Sequence, residues 1–207
     1  GLVQAVRDGS AGEVRDFIKS GASLNARDEN GEILWRVALE HYNKAVWEVL
    51  TENNIDLTQP DSTGSFALHV ASVNGLADAS ERILKLNAGK LQLNASGDTA
   101  VIAAARYGME HTLKAMAGYF HEANERNKIG DTALIESARS GNIKAVELIL
   151  KYKPMIPLAN YFGQTAVSQA RYYYFMDIVR LLEGFGAENP EASKELLIAA
   201  RDAGAAV

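Results

Sequence analysis

The sequence predicts an all-α solenoid with short β-hairpin tips, about six stacked helix-pair repeats closed by a C-terminal capping helix. Three observations predict it. Glycines stand at Gly31, Gly64, Gly97, Gly130 and Gly163, each 33 residues after the last, and self-similarity at a period of this length marks a stacked-repeat architecture. Three residues before each glycine stands Asp28, Asp61, Asn94, Asn127 or Asn160, a side chain that accepts hydrogen bonds from backbone amides in a turn. Each copy then carries two apolar segments at helical spacing.

The elements follow in order within each copy. The Asp or Asn and its glycine mark a hairpin tip. Two positions later Thr99, Thr132 and Thr165 are placed to cap a helix, with Ile33 and Phe66 in the earlier copies. Seven positions after the glycine come Ala38, Ala71, Ala104, Ser137 and Ala170, small enough for neighbouring first helices to stack closely. Gly75, Gly108, Gly141 and, in a shortened first copy, Gly9 are expected to end that helix, because glycine takes the left-handed conformation readily. In the last copy Tyr172, Tyr173, Tyr174 and Phe175 replace that glycine, so the backbone is expected to deviate there, with Tyr174 and Phe175 packed under the terminal helix. The second helix repeats apolar pairs three apart: Val14 and Phe17, Trp47 and Leu50, Leu113 and Met116, Val146 and Ile149, Val179 and Leu182, with Ser80 and Ile83 as the weak copy. Gly21 with Ala22, and Gly186 with Ala187, are expected to turn the chain away from that helix.

This reading divides one domain over 1–207 into an N-terminal capping repeat (1–27), repeats over 28–60, 61–93, 94–126, 127–159 and 160–190, and a capping helix over 191–207. The end units are needed to cover apolar faces that inner repeats hide against each other.

Residues 64–71 (GSFALHVA), 97–108 (GDTAVIAAARYG) and 130–141 (GDTALIESARSG) resemble the motif G-x-T-P-L-H-x-A of the ankyrin-repeat family, and the resemblance covers nearly the whole chain. It departs from the motif where Leu34, Ala67, Ala100, Ala133 and Ala166 replace proline, which weakens pre-organisation of the first turn. The motif's histidine survives as His69, for which the resemblance implies hydrogen bonds within and between repeats. For the whole chain it implies a protein-binding module and not an enzyme, with the tips and first helices lining a concave face. The residues carried onto that face are Arg106, Tyr107, Lys128, Ile129, Asp131, Arg139, Tyr161, Phe162, Gln164, Tyr172 and Tyr173. A second group comprises Glu29, Asn30, Glu32, Glu40 and His41. The first group is aromatic and basic, the composition that protein interfaces concentrate. The second is acidic and polar, fitting either steering of a basic partner or plain solubility.

Composition narrows the function further. With 207 residues, 47% hydrophobic and 23% charged, the chain can bury a continuous core. A net charge of −5 disfavours a nucleic-acid partner. No apolar run approaches the roughly 18 residues that cross a bilayer. Absence of cysteine excludes disulfides, thiol nucleophiles and Cys-based zinc sites. His41, His69, His111 and His121 are scattered without metal-site spacing, and the glycines form no phosphate cradle. Asp131 and Glu136 are a carboxylate pair with no sequence sign of a desolvated cleft. The expectation is therefore a monomer that needs no cofactor or metal and binds another protein. It would act as an inhibitor or immunity-type protein restraining an enzyme, a bacterial envelope hydrolase if exported. The alternative is a scaffold or adaptor reading a linear peptide. Opening on Gly1 fits an exported periplasmic protein and a cytoplasmic one equally.

Overall fold

A computed structural model of the chain, which describes residues 1–86, 92–119 and 124–188, shows how the repeated residues build repeated elements. The helices come in pairs: α1 (Leu2–Arg7) with α2 (Ala11–Lys19), α3 (Leu34–Glu40) with α4 (Lys44–Glu52), and α5 (Ala67–Val73) with α6 (Ala77–Lys85). They continue as α7 (Ala100–Arg106) with α8 (Glu110–Met116), α9 (Ala133–Ser140) with α10 (Ile143–Leu150), and α11 (Ala166–Tyr172) with α12 (Met176–Glu188). First helices stack on first helices and second on second along the whole series. The fold is the helical solenoid that the period implies.

The tips are built by one side chain repeated five times. Asp28, Asp61, Asn94, Asn127 and Asn160 each accept, through Oδ1, the backbone amides two and four residues on. The expected hairpins are thereby tightened into hydrogen-bonded turns. Among the described residues strand pairing is reduced to a single antiparallel bridge, Arg27 with Ile33. Tips also bond to one another where the later repeats meet, Lys128 N to Ser96 O and Tyr161 N to Ile129 O, both at 3.1 Å. This approach explains Gly130: a Cβ there would lie 2.8 Å from the Tyr161 nitrogen, on a backbone already at φ 84°.

Thr99, Thr132 and Thr165 cap α7, α9 and α11 through their side chains, and Thr165 with Ser168 completes a reciprocal capping box. Ile33 and Phe66 cannot cap, and α3 and α5 start without a side-chain bond. Packing compensates, since Leu34, Trp35, Leu39, Trp47 and Leu50 are all buried. Ala38, Ala71, Ala104, Ser137 and Ala170 lie at the stacking interface almost without exposure. The core forms two clusters that adjoin at α7: Ala100 and Ala104 belong to the first, Ile102 and Ala105 to the second, and the half-buried Val101 packs against both.

Two expectations fail. Helix α12 runs through Gly184 and Gly186 to Glu188 without turning, because glycine accepts helical φ as well as left-handed φ and permits a stop without imposing one. The backbone at Tyr174 does not deviate either. Gly9, Gly75, Gly108 and Gly141 end their helices at φ 71°, 69°, 62° and 74°, and Tyr174, one period after Gly141, adopts φ 61°. Its amide donates to Arg171 O and the next amide to Ala170 O, the pattern also seen at Gly75 and Gly108. The expected capping helix over 191–207 lies outside the described residues.

Candidate partner-binding face

The inner end of the face is a ladder of ions. Arg106 holds Asp98 in its own repeat, Nη1 to Oδ2 at 2.6 Å, and Glu136 in the next, Nη2 to Oε1 at 2.7 Å. Arg139 repeats the arrangement with Asp131 at 2.8 Å and donates across the following boundary to Gln169 Oε1 at 3.0 Å. It also grips Glu136 from within its own repeat at 2.9 Å. Asn127 and Asn160 add donors to Asp98 and Asp131 from the adjoining tips. Asp131 is fully buried, so its assignment to the partner-binding surface is corrected: its carboxylate is consumed by Arg139 and Asn160, and a partner cannot reach it. The guanidinium groups of Arg106 and Arg139 remain partly exposed but are fixed from below.

Three carboxylates face two guanidinium groups in this ladder, and burial decides how they share the deficit. Burial pushes the Glu136 carboxyl above the ordinary carboxylate range, more than Arg106 and Arg139 pull it down. At Asp98 burial pushes the same way, but donors from Arg106 and Asn127 outweigh it and hold the group below the usual value. The pair Asp131 and Glu136 is thus desolvated after all, a state invisible in the sequence because Arg106 comes from another repeat.

Outward from the ladder lie two groups of rings. At the tips, Ile129, Tyr161 and Phe162 are exposed, the last two at 66% and 71%. Arg126 lies 5.7 Å from the centre of the Tyr161 ring. At the end of α11, Tyr172 meets Tyr173 edge-on with centroids 5.0 Å apart, and Tyr173 stacks on Phe175 at 6.0 Å. Phe175 is half-buried, its ring filling the space over Gly141 where a Cβ would come within 2.5 Å. It therefore packs back onto the preceding repeat. Tyr174 is 85% exposed, which overturns its expected burial. Tyr107 and Lys128 are exposed, and Gln164 accepts from Asn160 beside the last tip.

The acidic half of the face is tied into local contacts but keeps an excess of negative charge, since Arg7 and Arg36 each serve two carboxylates. Glu29 pairs with Arg7, Glu40 with Arg36, and Glu32 accepts from Ser62. Asn30 and His41 are exposed. Between the tips of the third and fourth repeats a recess of about 240 Å³ is lined by Arg36, Ser65, His69, Ser96, Arg106 and Tyr107. His69 makes the bond between repeats, its Nε2 lying 2.8 Å from Asp98 O, but Nδ1 has no partner. The implied bond within the repeat is missing because Phe66 supplies a ring at 6.0 Å in place of a threonine hydroxyl.

Among the described residues no group of three His, Asp or Glu is placed to hold a metal ion, and no helix is long and apolar enough to cross a membrane. His121 lies outside them.

Comparison with known proteins decides the family. The model of ankyrin repeats in three copies matches residues 81–160 and 101–192, together more than half of the chain. The chain is an ankyrin-repeat protein. No curated protein sequence matches it. Among solved structures it is similar to an ankyrin repeat domain from Acinetobacter baumannii AYE, with TM-score 0.80 and 26% identity over 89% of this chain and 97% of that one. It is also similar to the ankyrin repeat protein EF0377, with TM-score 0.77 and 22% identity over 88% and 96%. An ankyrin-repeat chain is a protein-protein interaction module, built on a fold that generally serves as a scaffold for binding and not for catalysis. In this ankyrin-repeat protein the sequence did not place Arg126 or Gln169 at this face, set Glu136 aside as half of a carboxylate pair, and put Tyr174 under the terminal helix. Only Tyr174 carried a usable signal, its place in the glycine register.

Proposed function

We propose that the chain is a non-enzymatic binder of one folded protein, engaged through the fourth to sixth repeats, and that it acts as an inhibitor or immunity-type protein on an enzyme. The single observation that supports this most is the set of large rings left exposed on that face: Tyr107, Tyr161, Phe162, Tyr172, Tyr173 and Tyr174. Rings of this size give a partner large contact area with few rotors to freeze. Tyr107 shares a recess with Arg106, whose guanidinium is already fixed by buried carboxylates, so little ordering remains there for association. The face can offer about 800 Å² to a partner, enough for tight one-to-one binding. In this reading the chain is a monomer when free, residues 1–27 and 191–207 cap its ends, and an exported form would restrain a bacterial envelope hydrolase.

Native co-purification from the source organism, followed by calorimetry with the recovered partner, tests the proposal. The expected result is a one-to-one complex weakened by Tyr161→Ala, Phe162→Ala and Tyr172→Ala, with loss of the partner's turnover on binding. A complex indifferent to all three substitutions discards this face. Retained turnover discards inhibition alone. Equal binding of a short linear piece of the partner favours the adaptor reading.

A further inference from the structure

Two cations flank Asn127 at the tip of the fifth repeat, Arg126 and Lys128, and among the described residues no carboxylate pairs with either. Arg126 donates through Nη2 to Ala159 O and Lys128 through Nζ to Ala95 O, each at 2.7 Å. Each is therefore held across a repeat boundary by a neutral carbonyl. Nearby charge is settled differently: Arg7, Arg36, Arg106 and Arg139 all face carboxylates of their own or the next repeat. Beside these two cations lie the exposed Ile129, Tyr161 and Phe162, with the Arg126 guanidinium over the Tyr161 ring.

We infer that this corner recognises a partner protein through two surface carboxylates that bracket an apolar side chain. The carboxylates meet Arg126 and Lys128, and the apolar side chain lies on Ile129, Tyr161 and Phe162. The inference rests on the protein-binding reading above and states the chemistry of the partner's patch. Arg126 spends one donor group on Ala159 O, leaving N–H groups for a carboxylate; Lys128 keeps two of its three protons free. The tips of the fourth, fifth and sixth repeats are tied by the backbone bonds Lys128 N to Ser96 O and Tyr161 N to Ile129 O, so the cations and rings are held in one arrangement before contact. Because the whole chain carries −5, an acidic partner is attracted at this corner and repelled elsewhere, which fixes its orientation.

A displayed library of random dodecapeptides provides the probe, selected against the full chain, against Arg126→Gln/Lys128→Gln, and against Tyr161→Ala/Phe162→Ala. The wild-type pool is expected to gain Asp and Glu flanking aliphatic or aromatic residues, and to lose this enrichment on Arg126→Gln/Lys128→Gln. The best acidic peptide is expected to bind that double variant roughly tenfold more weakly and to lose affinity as salt rises. Matching thermal melts confirm that the exposed substitutions leave the fold intact. An empty pool, a pool without acid enrichment, or acidic winners bound equally by the glutamine variant overturns the inference. Neutral winners that still fail on Tyr161→Ala/Phe162→Ala leave the protein-binding reading standing, whereas winners indifferent to both variants remove the face itself. Tighter binding of a labelled single-stranded DNA or of phosphatidylserine vesicles than of any acidic peptide also overturns it.

Discussion

Arg106 joins two repeats at a single guanidinium, with Asp98 2.6 Å away on one side and Glu136 2.7 Å away on the other. Both carboxylates are buried, the arginine only partly. Arg106→Ala therefore takes from Asp98 its guanidinium partner and leaves Glu136 with Arg139 alone, and removing one partner of a buried pair costs about 3 kcal/mol. Urea unfolding is expected to show a loss of that size, and Arg106→Lys to recover part of it by keeping charge without the fork. A loss within experimental error would mean that the ladder carries no net stability. Weakened partner binding in Arg106→Ala therefore has to be corrected for this fold effect.

Tyr174 should trade stability for contact. A non-glycine residue in the left-handed region is strained by about 1 kcal/mol, and at 85% exposure the ring regains little of this from packing. Tyr174→Gly is expected to raise the midpoint of urea unfolding while weakening the partner complex. A less stable glycine variant would show that the ring supports the fold.

Gly130 and Gly163 share a left-handed φ but differ in surroundings. A Cβ on Gly130 would strike the Tyr161 nitrogen, whereas one on Gly163 meets nothing within 4 Å among the described residues. Gly163→Ala is expected to cost about 1 kcal/mol from backbone strain alone, and Gly130→Ala at least about twice that because the tips must separate. Equal losses in thermal or urea melts would deny that tip contact matters.

His69 gives the chain a pH dependence of known sign. Burial holds its pKa below the ordinary 6.5, against the opposing pull of the Asp98 carbonyl and the charges of Asp98 and Asp61. The unfolded state then binds the proton more readily than the folded one. The resulting stability is present above the ordinary value and is lost as pH falls below it toward the folded pKa. Urea midpoints on either side of that window are expected to fall with acidification, and His69→Gln, which can still donate to Asp98 O, is expected to flatten the fall. An unchanged slope in the variant would place the titration elsewhere.

Much of this architecture was legible because single residues carry it. The tip Asp and Asn residues, the three threonine caps and the small stacking residues act locally, so their spacing in the sequence is their spacing in the structure. Exposure was legible at Tyr161, Phe162 and Tyr172, where a large ring has no place in the core pattern. It failed at Asp131 because tip position alone does not separate a side chain that points outward from one drawn inward by an arginine eight residues on. Glu136 and Gln169 stayed hidden for a related reason, since their partners Arg106 and Arg139 reach them from the preceding repeat. Tyr174 was misread because its neighbours are aromatic, although its register with Gly141 was visible.

The bonds from Lys128 N to Ser96 O and from Tyr161 N to Ile129 O connect only the later units, so the described stack is unevenly laced. Stretched between its ends in optical tweezers, the molecule is expected to peel from the N-terminal side, with the laced units detaching after the first three. The portion that carries the exposed tyrosines would then keep its shape under load after the rest has unravelled.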